Sequence, residues 1–277
     1  MKAKRVLSIQ DISCFGQCSE TVALPILSAL GVETAILPTA ILSTHTAGFK
    51  GFTFLDLKDE IKKILAHWEK ENLSFNAVYT GYLGNQQDVE TVLSLLKTNM
   101  NKGPLIVDPA FGDHGVLYGG FDMDYVASMR PLCAQADYLL PNLTEAYALL
   151  SLPYQENPTN QEIETLLEGL HKLGAKGVIL KGIGAKQGET GFIYSNGKEK
   201  HFYSHPKLAK DSHGTGDVFA SVFVASLMHD KDAFEAGKLA ADFVYDAIAT
   251  TMDDPTHWYG VKFEPLLYPL MGRLLGK

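Results

Sequence analysis

The chain has 277 residues, of which 46% are hydrophobic, and it carries a formal net charge of −8 at pH 7. This length allows one large α/β domain or two small ones, with a sizeable core. The acidic balance, without any basic stripe, argues against nucleic acid as a partner. The three cysteines are too few for a disulfide framework, and the sequence contains neither a signal peptide nor an apolar run of membrane-spanning length. We therefore expect a cytoplasmic protein with no membrane partner.

The predicted elements alternate between strands and helices along the chain. Short apolar runs bounded by turn residues predict strands at 5–10, 33–39, 76–81, 105–109, 137–142 and 177–182. A capping box of Thr159 and Glu162 opens an amphipathic helix, and Asn196-Gly197 marks a β-hairpin turn. Helices are predicted at 215–229, 232–250 and near 263–275. The pattern predicts a single α/β domain over residues 1–277, with a mainly parallel central sheet, helices on both faces and a peripheral β-hairpin.

Polar residues gather just past the ends of the predicted strands. They are Asp11, Ser13, Ser43, Thr44, His45, Thr46, Tyr82, Asp108, Asp113, Asn142, Glu145 and Lys181. In open α/β sheets, ligands bind outside the carboxyl ends of the strands. If the strands are parallel, these residues converge on one edge of the sheet, where we expect the functional site.

The stretch G-T-G-D at 214–217 stands directly before an apolar helix. Gly214, Thr215 and Gly216 bring backbone N–H groups together at a helix N-terminus, which suits an anion and above all a phosphate. Asp217 has two interpretations at this stage. It either stabilises the helix dipole as a first-turn carboxylate, or it does chemistry beside the bound anion.

Phosphoryl transfer explains this combination of residues. The reaction needs donors for the moving phosphoryl group, a metal at the nucleotide oxygens and a base for the attacking hydroxyl. Gly214–Gly216 supply donors, while Asp108, Asp113 and Glu145 offer hard oxygen ligands suited to Mg²⁺. Asp217 supplies the base, and with a reference pKa of about 3.9 an ordinary aspartate is ionised at neutral pH.

The sequence resembles the ribokinase-like superfamily and, within it, the pyridoxal/pyridoxine/pyridoxamine kinases. The similarity runs through nearly the whole chain, and the G-T-G-D box alone indicates only the superfamily. The motifs that carry it are "SIQDISCFG" at 8–16, "TAILSTHT" at 39–46, "GYLG" at 81–84, "VDPAFGD" at 107–113, "PNLTEA" at 141–146 and "DSHGTGD" at 211–217. The resemblance implies ATP-dependent phosphorylation of the 5′-hydroxymethyl group of a vitamin B6 vitamer.

The resemblance also assigns roles to residues. It places the catalytic base at Asp217 and the anion hole at Gly214, Thr215 and Gly216. The substrate pocket would include Asp11, Ser13, Ser43, His45, Thr46 and Tyr82. Asp108, Asn142, Glu145 and Lys181 would contact ATP, and Asp113 and Glu145 would contact Mg²⁺. The loop at 112–122 would cover the reacting groups, with its glycines permitting motion.

Two positions depart from the family pattern. Asp11 stands where many relatives have a serine that contacts the pyridine ring, and it would either pair with the ring nitrogen or hydroxyl or serve as a turn residue. Lys181 stands where some members have threonine. A lysine there would reach the nucleotide phosphates, which puts in doubt the monovalent cation that the family otherwise suggests as a cofactor.

Alternatives from this and other classes stay open at the sequence level. A hydroxymethylpyrimidine kinase shares the superfamily boxes, and Asp11 weakens the preference for the pyridoxal branch. A sugar kinase is disfavoured because no insertion after the first strand provides a lid. A non-catalytic vitamer- or nucleotide-binding protein on this fold is disfavoured by the intact Asp217, Glu145 and G-T-G-D box. The resemblance further implies a homodimer.

Overall fold

The computed structural model describes residues 4–210 and 212–276. Within these ranges the strands are β1 (Arg5–Ser13), β2 (Glu33–Leu42), β3 (Phe54–Asp56), β4 (Ala77–Thr80), β5 (Leu105–Val107), β6 (Gly112–Asp113), β7 (Val116–Leu117), β8 (Tyr138–Leu139), β9 (Gly177–Lys181), β10 (Glu189–Ser195) and β11 (Lys200–Pro206). The helices are α1 (Glu20–Ala29), α2 (Lys58–Lys70), α3 (Gln86–Leu95), α4 (Met123–Cys133), α5 (Leu143–Leu149), α6 (Asn160–Leu173), α7 (Thr215–Met228), α8 (Ala233–Thr251) and α9 (Leu267–Leu275), the last preceded by a 3₁₀ turn at Glu264–Leu266.

A nine-stranded sheet runs through the described part of the chain in the order β11-β10-β9-β8-β5-β4-β1-β2-β3. The six strands from β9 to β2 are parallel, whereas β3, β10 and β11 extend the two ends through antiparallel pairs. Parallel strands need crossover connections, and here helices provide them. The predicted fold class is therefore confirmed, including the mainly parallel sheet and the peripheral hairpin.

Helices cover both faces of this sheet because side chains alternate along each strand. From β1, Leu7 and Ile9 join the core formed with α2 to α6. Val6 joins the opposite core, formed with α1, α7, α8 and α9. Buried parallel strands with apolar residues on both faces are what this layered arrangement requires.

Most predicted elements are confirmed, and the structure adds three very short strands that were not predicted. All six predicted strands form, the hairpin turns at Asn196-Gly197, and the capping box of Thr159 and Glu162 opens α6. The sequence did not predict β3 or the β6–β7 hairpin, because two or three residues carry no readable periodicity. Among residues 4–210 and 212–276, no helix combines the length and apolar character needed to cross a bilayer.

Candidate active site

The N-terminus of α7 is built on a glycine that no other residue can replace without a shift. Gly214 adopts a left-handed conformation with φ of 74°, and a Cβ there would lie 1.8 Å from the Gln17 carbonyl oxygen. The first helical hydrogen bond runs from the Val218 N–H to the Gly214 carbonyl, and no side chain in the described part of the chain caps this end. The N–H groups of Thr215, Gly216 and Asp217 at the start of a 14-residue helix therefore suit an anion.

Asp217 lies in the first turn of α7 and faces a crowded acidic site. Its Oδ2 accepts a hydrogen bond from the Ser19 N–H at 2.9 Å. Burial raises the pKa of Asp217 to about 7; the Ser19 hydrogen bond lowers it, and the charges of Asp108 and Asp11 raise it. The expectation of an ordinary aspartate pKa is therefore wrong, because the sequence does not reveal how deeply this carboxyl is buried.

Asp11 belongs to β1 rather than to a turn. The pairing of β1 with β2 shifts register between Gln10 and Ile12, an irregularity of the kind that re-aims a strand side chain. The Asp11 carboxylate is buried and accepts hydrogen bonds from the Ser13 hydroxyl at 2.8 Å and the Ser19 hydroxyl at 2.5 Å. Burial raises the pKa of Asp11, and the two hydroxyl donors oppose that shift.

Lys181 and Asp108 form a buried ion pair beside the N-terminus of α7. The Nζ of Lys181, at the end of β9, donates to Asp108 Oδ2 at 2.8 Å, and the two side chains are only 15% and 5% exposed. A Cβ added to Gly216 would lie 3.7 Å from this Nζ. Burial alone would lower the pKa of Lys181, but Asp108, Glu145 and Asp217 outweigh it and raise the pKa. A fixed positive charge therefore stands next to the start of α7.

Asn142 and Glu145 form a capping box that also anchors the neighbouring hairpin. Asn142 Oδ1 accepts from the Glu145 N–H at 3.0 Å, and Glu145 Oε2 accepts from the Asn142 N–H at 2.8 Å. Asn142 Nδ2 also donates to the Gly112 carbonyl at 2.8 Å, and Glu145 Oε1 accepts from the Phe111 N–H at 3.2 Å. Burial and the charge of Asp108 raise the pKa of Glu145. These two residues tie the start of α5 to the segment that leads into β6.

The β6–β7 hairpin is hydrogen-bonded to the start of α5. His114 and Gly115 both have positive φ, at 50° and 77°, the pair of conformations that a tight hairpin turn needs. The Gly115 N–H donates to the Thr144 hydroxyl at 2.8 Å. Burial and the nearby carboxylates of Glu145, Asp113, Asp217 and Asp108 raise the pKa of Tyr118 well above its usual range. Sequence reasoning named the covering loop but missed Tyr118.

The predicted metal residues do not form a closed all-protein site. Asp113 is exposed and its Oδ1 accepts from the His114 N–H at 2.8 Å, while both Glu145 oxygens accept backbone N–H groups. Within 4–210 and 212–276, no three His, Cys, Asp or Glu residues are placed to hold a metal ion. This sparse set of carboxylates fits Mg²⁺, which keeps several waters and binds mainly through nucleotide phosphates.

The residues predicted for the acceptor pocket take different places. His45 is buried, its Nε2 lies 2.8 Å from the Tyr259 carbonyl, and its ring packs against Phe49 and His213. Ser43 is exposed at the end of β2, and its hydroxyl accepts from the Thr53 N–H at 2.9 Å.

Thr46 and Tyr82 are half-buried, and Tyr82 packs against Phe121 with a ring separation of 5.2 Å. Asp11, Tyr82 and the His45 loop thus line the carboxyl edge near α7. Asp211, the first residue of the D-S-H-G-T-G-D motif, lies outside the described residues.

Two buried residues at the start of α1 escaped sequence reasoning. Ser19 contacts both Asp11 and Asp217. Glu20 is buried, neither of its carboxyl oxygens has a well-formed hydrogen bond among the described residues, and burial raises its pKa to about 8. No motif marks either residue, and the only available signal was a serine before an acidic first helical residue.

Comparison with known proteins identifies the family. The model of the phosphomethylpyrimidine kinase family matches residues 24–260. A structure of a candidate phosphomethylpyrimidine kinase from Bacteroides thetaiotaomicron, in a form with pyridoxal, is 36% identical with a TM-score of 0.90, covering 97% of this chain and 96% of that one. The pyridoxal kinase of Lactobacillus plantarum is 31% identical with a TM-score of 0.90, covering 98% and 97%.

A longer relative contains this module within a larger protein. The thiamine biosynthetic bifunctional enzyme TH1 of Arabidopsis thaliana is 28% identical over 95% of this chain. The chain spans 52% of the length of that enzyme. The resemblance to the pyridoxal kinases of the ribokinase-like superfamily is confirmed by these matches at the level of family and fold.

Proposed function

Because the chain belongs to the phosphomethylpyrimidine kinase family, we propose that it transfers the γ-phosphoryl group of ATP to the 5′-hydroxymethyl group of pyridoxal, pyridoxine or pyridoxamine. The observation that carries this proposal is the placement of Asp217. It lies at the N-terminus of α7, beside the anion site and joined through Ser19 to Asp11 of the acceptor side. A base, an anion site and a second carboxylate for the ring thus lie together.

The chemistry follows from the residues at the edge of the sheet. The substrate hydroxyl oxygen attacks the γ-phosphorus, the bond to the bridging oxygen of ADP breaks, and Asp217 takes the hydroxyl proton. A base with a pKa of about 7 is matched to work at neutral pH. The N–H groups of Thr215, Gly216 and Asp217 and the charge of Lys181 stabilise negative charge on the transferred group.

Other residues organise this reaction without taking part in proton transfer. Asp11 pairs with the ring nitrogen or ring hydroxyl of the vitamer, and Tyr82 packs beside the vitamer. Asp113 and Glu145 would hold Mg²⁺, directly or through water, and the metal would neutralise phosphate charge when it binds with ATP. The β6–β7 hairpin and Tyr118 cover the phosphates and exclude water.

A second acceptor is supported by a specific observation. The matching family model is that of phosphomethylpyrimidine kinase, and Asp11 replaces the serine that many pyridoxal kinases have at this position. A carboxylate suits an aminopyrimidine as well as a pyridine with an acidic ring hydroxyl, so hydroxymethylpyrimidine is the competing substrate.

Steady-state kinetics separates these acceptors. The purified protein is given ATP and Mg²⁺ with each B6 vitamer or with hydroxymethylpyrimidine, and phosphate transfer is measured by mass. We expect the highest kcat/KM with a B6 vitamer. A higher kcat/KM with hydroxymethylpyrimidine than with every vitamer would assign the chain to the competing substrate, and the absence of transfer to any acceptor would contradict kinase activity.

A further inference from the structure

Ser19 contacts both carboxylates of the proposed site at once. Its N–H donates to Asp217 Oδ2 at 2.9 Å, and its hydroxyl donates to Asp11 Oδ1 at 2.5 Å. The residue is 5% exposed. A single residue therefore spans the carboxylate that faces the acceptor ring and the carboxylate that takes the proton.

The backbone of Ser19 adopts a conformation that a residue with a Cβ disfavours. Its φ is 55° and its ψ is −130°, a region populated almost only by glycine. Strain of this kind persists where the surroundings determine it, and it concentrates at functional sites. The conformation is not explained by capping, because the Ser19 side chain makes no capping hydrogen bond to α1.

Contacts of Gln17 hold the segment that leads into Ser19. Gln17 packs so closely on Gly214 that a Cβ there would meet its carbonyl oxygen. The Gln17 N–H also donates to the Tyr259 carbonyl at 3.4 Å. The segment before α1 is thus held against the anion site, and Ser19 is held with its N–H on α7 and its hydroxyl on β1.

We propose that Ser19 is a positioning residue that fixes Asp11 relative to Asp217, so that a ring held by Asp11 presents its hydroxymethyl group to Asp217. This inference rests on the proposed function. In this role Ser19 acts through the two carboxylates that it contacts, and not on the phosphoryl group or the nucleotide. Its hydroxyl sets the place of the ring, and its N–H sets the place of the base.

Two substitutions separate the hydroxyl from the N–H. Ser19→Ala removes the hydroxyl, which anchors the disfavoured backbone conformation to Asp11. Alanine does not favour that conformation either, so we expect the segment to relax and the N–H to move away from Asp217. Ser19→Gly also removes the hydroxyl, but glycine adopts this backbone readily and keeps the N–H on Asp217. KM for the acceptor should rise about tenfold in both variants, as expected for losing a hydrogen bond to a charged group.

The turnover number distinguishes the two variants. We expect kcat to fall about tenfold or more in Ser19→Ala and to stay within about twofold of the wild-type value in Ser19→Gly. A merely structural role predicts instead that glycine restores KM and kcat together. Thr21→Val is the matched control, since among the described residues the Thr21 hydroxyl bonds only the carbonyls of Gly16 and Cys18 in the same segment. Its kinetic constants should equal those of the wild type.

Each outcome decides the proposal. Raised KM with retained kcat in Ser19→Gly supports it, and this variant suffices if Ser19→Ala does not fold. Wild-type KM in Ser19→Gly, or a lower kcat in Ser19→Gly than in Ser19→Ala, overturns it. If the wild type phosphorylates a B6 vitamer and Ser19→Ala keeps both constants, only this inference fails. If the wild type phosphorylates no acceptor, the proposed function fails and this inference fails with it.

Discussion

Two opposing effects act on the charge of the Asp217 carboxylate. It lies at the positive end of the α7 dipole, which favours its charge, yet burial raises its pKa to about 7. The Ser19 N–H counteracts part of that shift. A helix-stabilising carboxylate would be exposed and ionised, whereas this one is close to its protonation equilibrium at neutral pH, which suits the proposed general base.

Asp217→Asn tests the base directly. The variant keeps the shape and hydrogen bonding of the side chain but cannot take a proton, so kcat should fall by about 10²–10⁴-fold with little change in acceptor KM. Its thermal midpoint at pH 8 should not drop, because asparagine removes a carboxylate that is costly to ionise. The control is Asp124→Asn, an exposed first-turn carboxylate of α4. Near-normal turnover in Asp217→Asn would rule out the base.

Lys181→Met tests the buried ion pair. It leaves Asp108 buried without its partner, so the free energy of unfolding should fall by about 3–5 kcal/mol, and KM for ATP should rise. Adding Asp108→Asn should recover stability but not ATP use, since the charge beside the anion site stays absent. Chemical denaturation and ATP titration measure the two effects.

The surface pair of Lys176 and Asp137 provides the control for that experiment. It has a similar separation of 2.7 Å, but the lysine side chain is 73% exposed. Lys176→Met should therefore cost at most about 1 kcal/mol and leave KM for ATP unchanged. Equal stability loss in Lys181→Met and Lys176→Met would show that burial does not strengthen the first pair.

At the scale of elements, two helices begin with the same capping chemistry but serve different purposes. α5 and α6 both open with a capping box, at Asn142 with Glu145 and at Thr159 with Glu162. Only the first also binds a neighbouring segment, through Asn142 Nδ2 and the Gly112 carbonyl. The start of α5 therefore joins helix stability to the position of the β6–β7 hairpin.

Asn142→Ala and Thr159→Ala form a matched pair. Each removes a helix cap, so each should lower the free energy of unfolding by about 0.5–2 kcal/mol. Asn142→Ala also releases the Gly112 carbonyl and loosens the hairpin, so kcat/KM for ATP should fall in that variant alone. Equal activity in the two variants at equal stability would mean that the hairpin anchor plays no part in turnover.

At the scale of the whole molecule, the site concentrates carboxyl groups that burial pushes toward neutrality. The pKa of Glu20 is raised to about 8, that of Asp217 to about 7, and that of Glu145 is also raised. In the unfolded chain these groups ionise near pH 4. Between those values the folded protein binds more protons than the unfolded one, so the stability that they contribute is lost as pH rises through the folded-state pKa values.

The contribution of these groups to the free energy of unfolding without ligands should therefore decrease from about pH 5 to about pH 8, where the folded chain still binds protons that the unfolded chain has released. Urea denaturation at several pH values measures it. In Glu20→Gln the decrease should be smaller, because one proton-binding group is gone. Glu90→Gln, at an exposed position of α3, is the control and should keep the wild-type pH dependence. A steeper or unchanged decrease in Glu20→Gln would contradict the assignment of a neutral Glu20.

Membership in a kinase family was readable from the sequence and is confirmed by the family match. The local features were also determined by the sequence: six strands, the capping box at Thr159, the turn at Asn196-Gly197, and a glycine-rich start of α7. Each depends on neighbouring residues, through apolar periodicity, side-chain capping or the backbone freedom of glycine. The expected parallel direction of the strands was enough to predict the sheet edge at which the polar residues converge.

Only the tertiary structure decided how these residues act on one another. Ser19 and Asp217 are 198 positions apart, and Lys181 and Asp108 are 73 apart, so no local pattern joins them. The raised pKa of Asp217, the buried place of His45 and the double contact of Ser19 depend on what packs around each group. Desolvation and charge interactions depend on which groups lie close together in space, and only the folded chain determines those neighbours.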